Sequence, residues 1–351
     1  MNAPTNLNTA TIVALPERPD GISRTFELVV LILPGFSHLA LHAFLEPFRI
    51  ANTVSRLAMF RWRIAGLEKG SVEGASGLSV ATGLTIDQLN FLSAERKVDH
   101  LAIIAGEPVG QQLTPKFNTF LRAAVRHSVP ISAVGTAAWL LAQAGLLANT
   151  RCTIHWSRLA AFSEVFDQPQ IRDSLFVKDG QISTCAGELA AFDLAVDLIA
   201  GYAGGYTAHE VCRHATVEGQ RSGANRQTGP SGLAFAGVSD KLLHAMRIME
   251  ANVEVPLSMR RVAEEAGVSR RQLERLFSTH VGHPPVRYYL RVRIDHAKRL
   301  IEGTRMPIID IAMACGFISP SHFAKCFKSV HGITPQQCRI SVPAWVGPGL
   351  G

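Results

Sequence analysis

Long apolar runs are missing from this sequence. The longest wholly aliphatic stretch is LVVLIL, Leu28–Leu33, far short of the ~18 residues that a membrane-crossing helix requires. The chain does not open with a basic segment followed by an apolar core, so no signal peptide is expected. Cysteine is scarce and scattered, six residues with no CxxC pair and no His/Cys cluster at ligand spacing. That pattern points to reduced thiols in a cytoplasm and away from structural zinc. His209 and His214 have no further ligand-type residues at metal spacing, so neither a metal nor a cofactor is expected. Excess charge is missing from most of the chain as well. Residues 1–238 hold 19 Lys+Arg against 19 Asp+Glu, whereas residues 239–351 hold 16 against 9. All of the net +7 therefore sits on the last third, as expected of a part that meets a polyanion such as DNA.

Within that last third lie two similar stretches, LSMRRVAEEAGVSRRQLERLFSTHVG (Leu257–Gly282) and PIIDIAMACGFISPSHFAKCFKSVHGITP (Pro307–Pro335). In each, apolar residues at helical spacing make a short buried helix: Val262, Ala263 and Ala266, then Ile308, Ile311 and Ala312. A glycine, Gly267 or Gly316, supplies the chain reversal. A serine, Ser269 or Ser319, is the candidate N-cap of the next helix, and Pro320 suits a first helical position. That next helix is apolar on one face (Leu273, Leu276 and Phe277; Phe323 and Phe327). The other face of the first carries Arg271 and Arg275, and that of the second carries Ser321, Lys325 and Lys328. Such a helix packs on one side and offers cations and donors on the other, as a reader of the major groove must. Between the two units, Val286–Glu302 can form a helix about 25 Å long at ~1.5 Å per residue. On that strut two readers reach adjacent groove segments, ~34 Å apart, with some bending of the duplex.

These features together resemble the DNA-binding domain of the AraC/XylS family: Arg293-Ile294 with Ala297, then DIAMACGF, SHFAKCFK and GITP. The resemblance implies a promoter or operator in double-stranded DNA as partner, with RNA polymerase beside it. It places Arg271, Gln272 and Arg275 of the first recognition helix at base edges, and Ser321, His322 and Lys325 of the second. Ser269, Arg270, Ser319 and Lys328 complete the expected DNA-binding set.

At 351 residues two domains are the prior. Residues 1–24 read as a loose arm. From Phe26 onward apolar runs alternate with helical patterns. FELVVLIL is a strand covered on both faces, and a helix is expected from His38 to about Ser55. Strands are expected at Phe60–Leu67, His100–Gly106 and Pro130–Val134, a helix near Pro115–His127, and a hairpin turning at Asp179-Gly180. This is an α/β domain, flavodoxin-like with a mainly parallel sheet, whose ligands sit at the carboxyl ends of the strands. Residues 215–238, rich in Gly, Ser, Asn and Gln, read as a flexible linker. The DNA-binding domain occupies 239–340 and residues 341–351 form a tail.

LPGF (Leu33–Phe36), EPFRIAN (Glu46–Asn52), AGLL with the His155-Trp156 pair, and T-x-AG-x-x-A-x-x-D (Thr184–Asp193) resemble the PfpI-like, class I glutamine amidotransferase-like domain over residues 25–214. In one branch of AraC-type regulators this domain precedes the DNA-binding domain. That branch senses small nitrogenous metabolites, amino acids or quaternary ammonium compounds, and activates genes for their catabolism. In catalytic members, the strand-to-helix elbow carries a cysteine whose pKa the helix N-terminus lowers. The matching position here is Gly135, followed by Thr136, and glycine has no nucleophile.

The expectation is therefore a transcriptional activator rather than an enzyme, homodimeric through its first domain. The candidate ligand set is Gly135, Thr136, His155 and Trp156 near the elbow, with Glu46 as an acceptor for a cationic ligand. The elbow amides would seat a carboxylate, and Trp156 would wall a quaternary ammonium. Plainer readings stay open: a core histidine and packing tryptophan at 155–156, a local cap or solvated role for Glu46, and a small buried thiol at Cys185. Two alternatives for the whole chain also remain. One is an amidase- or peptidase-like enzyme with a DNA-binding tail, and the other a DNA-binding protein whose first domain only dimerises it.

Overall fold

The computed structural model describes residues 24–89, 91, 98–109, 112–227 and 239–341. Nearly all of the expected N-terminal arm and C-terminal tail, and the 228–238 part of the expected linker, lie outside these residues.

The first domain opens with β1 (Phe26–Ile32) and α1 (His38–Ser55), then β2 (Phe60–Gly66), the β3–β4 hairpin (Gly70–Glu73, Ser79–Thr82) and the short β5 (Leu84–Thr85). β6 (His100–Ala105), α2 (Pro115–Arg126), β7 (Ile131–Gly135) and α3 (Ala137–Gln143) follow. β8 (Arg151–Cys152), α4 (Trp156–Val165), β9 (Gln170–Ile171), β10 (Phe176–Asp179), β11 (Ile182–Cys185) and α5 (Ala190–His214) complete it. Seven strands form one sheet in the order β10-β11-β7-β6-β1-β2-β5, and only the edge strand β10 runs antiparallel. The β10–β11 hairpin turns at Gly180, at φ +58°.

β1 shows why the sheet is sandwiched. Val29 and Leu31 face one core with Ile103, Ala133, Trp139 and Phe162. Leu28, Val30 and Ile32 face the other with Phe44, Phe48, Leu194 and Ile199. Each fully buried aliphatic side chain contributes ~1.5–3 kcal/mol, so a continuous apolar run is stable only between two helical layers. Ser37 caps α1 by accepting the Ala40 N–H, and Thr114 caps α2 ahead of Pro115. These caps fix where the helices begin.

The structure departs from the flexible-linker reading. Residues up to Gln227 are fastened to the first domain. The Leu175 and Phe176 N–H groups donate to the carbonyls of Asn225 (2.8 Å) and Gly223 (3.2 Å). Arg221 pairs with Asp193 at 2.6 Å, a carboxylate only 3% exposed. Gln227 donates to the Thr153 hydroxyl and the Ile154 carbonyl. A Cβ at Gly223 would stand 2.7 Å from the Phe176 ring. The Gly- and Ser-rich composition here permits close packing rather than looseness. A buried Asp193 needs a cation, and Arg221 supplies it.

The second domain is helical: α6 (Asp240–Ala251), α7 (Met259–Glu265), α8 (Arg270–His280), α9 (Pro285–Gly303), α10 (Ile308–Ala314), α11 (Pro320–His331) and α12 (Pro335–Ser341). It has two small cores. Leu242, Met246, Val262, Leu273, Phe277 and Tyr289 make one. Ile294, Leu300, Ile311, Phe317, Phe323 and Phe327 make the other. α9 contributes to both and so joins the two helix pairs. Its outer side lies on α4 of the first domain, where Ala160 packs against the second of these cores.

Candidate functional site

Each helix pair is built as its sequence dictates. Gly267 and Gly316 turn the chain at φ +65° and +71°, in the left-handed region that glycine enters without a Cβ penalty. Ser269 caps α8, accepting the Gln272 N–H, while Gln272 Oε1 accepts the Ser269 N–H at 2.8 Å. Ser319 caps α11 by accepting the His322 N–H, with Pro320 opening that helix. Leu273 and Phe277, then Phe323 and Phe327, turn inward and are buried.

The outward faces carry the expected residues. Arg271, Gln272 and Arg275 are exposed on α8, and Ser321, His322, Lys325 and Lys328 on α11. Their availability differs. Arg270 is paired with Glu274 at 3.2 Å, whereas Arg271 and Arg275 have no ion pair among the described residues. The hydroxyls of Ser269 and Ser319 accept the cap bonds of their helices, at 3.2 and 3.3 Å. The His322 ring lies 5.9 Å from Phe317, and its Nε2 stands 3.4 Å from Cys326 Sγ. Arg293 fixes the second turn from within. It donates to the carbonyls of Cys315 (2.8 Å) and Gly316 (2.6 Å) and lies over Phe317 at 4.2 Å. A guanidinium satisfied in this way holds structure and does not reach a ligand.

The elbow in the first domain is tightly packed at Gly135. Gly135 has φ +75°, and a Cβ there would stand 2.7 Å from the Ala105 carbonyl oxygen. The Thr136 N–H donates to that same oxygen at 3.2 Å, and its buried hydroxyl to the Gly106 carbonyl at 2.9 Å. The Thr136 amide is thus engaged within the protein, and α3 is a helix of only 7 residues. The His155 N–H reaches the Gly135 carbonyl at 3.3 Å, while its ring meets the Ser157 hydroxyl at 2.9 Å. Burial lowers the His155 pKa, opposed by Glu188 and Glu107 nearby and assisted by Arg158. Glu188 in turn accepts from the Ser37 hydroxyl at 2.7 Å. Cys185 is fully buried, and burial pushes its thiol up to about 12, the opposite of an activated nucleophile.

The remaining two expected ligand residues are Glu46 and Trp156. Glu46 is half-exposed and ion-paired with Arg49 at 2.8 Å, as a solvated helix pair would be. Trp156 opens α4 and lines a cleft of about 960 Å³ between the two domains. There the Arg299 guanidinium lies 5.7 Å from its ring centroid. Sequence reading missed the cleft because its walls, α4 with residues 225–227 and α6 with α9, come from distant parts of the chain. Arg299, Arg247 and His296 belong to it, and no local motif marks them.

Comparison with known proteins bears on both halves. Residues 28–201 match the DJ-1/PfpI family and residues 262–340 a helix-turn-helix domain. The HTH-type transcriptional regulator CdhR of Pseudomonas aeruginosa is 33% identical over 91% of this chain and 94% of its own. GbdR of the same species, also an HTH-type transcriptional regulator, is 33% identical over 89% of this chain and 84% of its own. A solved THiJ/PfpI family protein from Pseudomonas syringae, 18% identical, aligns with a TM-score of 0.50 over 61% of this chain and 86% of its own. That likeness concerns fold alone. With a DJ-1/PfpI domain joined to paired helix-turn-helix units and relatives alike along nearly their whole length, the chain belongs to the family of HTH-type transcriptional regulators with an N-terminal DJ-1/PfpI domain.

Proposed function

We propose that this protein is a sequence-specific regulator of transcription, acting as an activator in the cytoplasm. Its second domain binds promoter DNA, and its first is a non-catalytic sensor of a small nitrogenous metabolite. The observation that carries the reading is the pair Arg271 and Arg275. They stand one helical turn apart on α8, exposed and free of carboxylates among the described residues. Arginine so presented suits guanine O6 and N7. α11 offers Ser321, Lys325 and Lys328 in the same manner, and the concentration of excess positive charge in this third of the chain supports phosphate contact.

Two features support a sensor without catalysis. Position 135 has no side chain to attack a carbonyl, and the buried Cys185 is protonated at neutral pH. Homodimerisation through the first domain and contact with RNA polymerase belong to the same proposal. One paired unit reads about two groove segments, and a second copy multiplies specificity through effective concentration.

The test is a nuclease footprint of the full chain on DNA upstream of its own coding region. The expected result is protection of major-groove segments ~10 base pairs apart on one face of the duplex, resistant to random competitor. Protection abolished equally by random DNA would reduce the protein to a nonspecific binder.

A further inference from the structure

The two turns of the second domain are alike in backbone but not in surroundings. Gly267 and Gly316 share the left-handed conformation, at φ +65° and +71°. A Cβ on Gly267 would meet nothing within 4 Å among the described residues. One on Gly316 would stand 2.6 Å from the Pro256 ring and 2.8 Å from the Glu254 carbonyl oxygen. Glycine at 316 is therefore needed twice, for its φ and for an approach that any side chain would block. The segment that comes so near is the connection from α6 to α7, residues 252–257. Both cores share it. Val253 is buried in the core of the second helix pair, with Ile294, Ile311 and Phe317, while Leu257 packs on the core of the first. α9 holds both sides of the contact. Its Tyr289 hydroxyl donates to the Asn252 carbonyl and accepts the Leu257 N–H at 3.1 Å, so one side chain clamps the two ends of the connection. One turn further along α9, Arg293 holds the carbonyls of Cys315 and Gly316. Glu254, Val255 and Pro256 are exposed, and exposed connections are ordinarily the mobile parts of a domain. This one is fastened at both ends and wedged against the second turn.

We propose that this brace sets the spacing and relative orientation of the two recognition helices, and that Tyr289 and Pro256 are positioning residues for operator selection. The inference rests on the reading of the chain as a sequence-specific regulator and deepens it, from which bases are met to how far apart they must lie. The two cores of the domain are small and separate. Joined by α9 alone, the two helix pairs would be free to bend and twist about that one helix. The wedge of Pro256 against Gly316 adds a second point of contact off the α9 axis, and two points fix an angle that one does not. Gly316 leads directly into α11, whose cap is Ser319, so what holds the turn also aims the second reader. Inserting one base pair between the two groove segments moves the second by ~3.4 Å along the duplex and by ~36° around it, at ~10 base pairs per turn. A hinged pair of readers follows that displacement. A braced pair loses the contacts of one segment.

The experiment uses the full chain and a pool of random duplexes, from which the wild type selects its own sites. Binding is then measured by anisotropy on the selected duplex and on a copy with one base pair inserted between the two segments that one chain contacts. For the wild type the insertion is expected to weaken binding ~10-fold or more, as a misplaced base pair does. Tyr289→Phe removes the clamping hydroxyl while keeping the buried ring, and Pro256→Gly removes the wedge. In both, the insertion should weaken binding by under ~3-fold, and the sites they select should show the same segments at more than one spacing. Val255→Ala, in the same connection but exposed, should match the wild type. Circular dichroism checks folding, and the milder Tyr289→Phe keeps the test open if Pro256→Gly unfolds. A merely structural role would weaken both duplexes by the same factor and leave their ratio unchanged, and that result overturns the brace. So does a wild type that tolerates the insertion. Failure of the wild type to enrich any sequence would instead remove the regulator reading, and the brace's role with it.

Discussion

Gly303, in the last turn of α9, stands so close to Ala161 of α4 that a Cβ at 303 would lie 2.6 Å from the Ala161 methyl and 2.9 Å from Arg158 Nη1. Within a helix glycine costs ~1 kcal/mol relative to alanine, so its presence here serves the contact with the other domain. Gly303→Val is expected to force α9 away from α4 at a cost of ~1–3 kcal/mol. In urea unfolding followed by fluorescence and circular dichroism, the second domain of the variant should melt ahead of the first. Superimposable curves for variant and wild type would show that the approach carries no energy.

Arg275→Ala is expected to cost ~1–3 kcal/mol on a cognate duplex and less on random DNA. Arg270→Ala should cost under ~1 kcal/mol, since Arg270 shares an exposed ion pair with Glu274. Fluorescence anisotropy with specific and scrambled duplexes measures both. Equal losses on the two duplexes for Arg275→Ala would make it a phosphate contact.

Of the six cysteines five are buried and Cys326 is partly exposed. The thiols of Cys152, Cys185 and Cys315 are pushed up to about 12 by burial, leaving a thiolate fraction of ~1 in 10,000 at pH 8. A disulfide reagent is expected to label Cys326 promptly in the native protein and the others only on unfolding. Prompt labelling of Cys185, located by mass spectrometry, would reopen the enzymatic reading.

His100, buried and bonded to the Ser132 hydroxyl at 2.8 Å, has its pKa lowered by burial to about 4 from an ordinary 6.5. Folded protein therefore binds fewer protons here than unfolded protein between those values, so stability falls as pH drops from about 6.5 to 4. The full loss from this one group is ~3 kcal/mol. Denaturant midpoints across that range should decline, and His100→Gln should flatten the decline. An unchanged slope in the variant would assign the acid sensitivity elsewhere.

Signals that span a few residues were readable from sequence. The caps at Ser269 and Ser319, the turns at Gly267 and Gly316, and the doubly covered β1 each follow from local chemistry, and the structure has all of them. Relations between distant residues were not. Nothing near Trp156 announces Arg299, and nothing in the 217–227 composition announces that Asp193 is buried and awaits Arg221. The same holds at the elbow. The missing thiol at 135 is plain in the sequence, but the Ala105 carbonyl that takes the Thr136 amide is a neighbour only in three dimensions.

The fastening of residues 217–227 also shortens the leash on the DNA-binding half. Only 228–238 separate the last anchored residue from Ser239, the N-cap of α6. Whatever path they follow, they span no more than ~40 Å at ~3.3–3.6 Å per residue. On so short a tether one domain sees the other at a local concentration in the millimolar range. A contact between α4 and α9 too weak to hold two separate molecules together would still be populated for much of the time. Lengthening that stretch is a way to loosen the coupling without touching either surface.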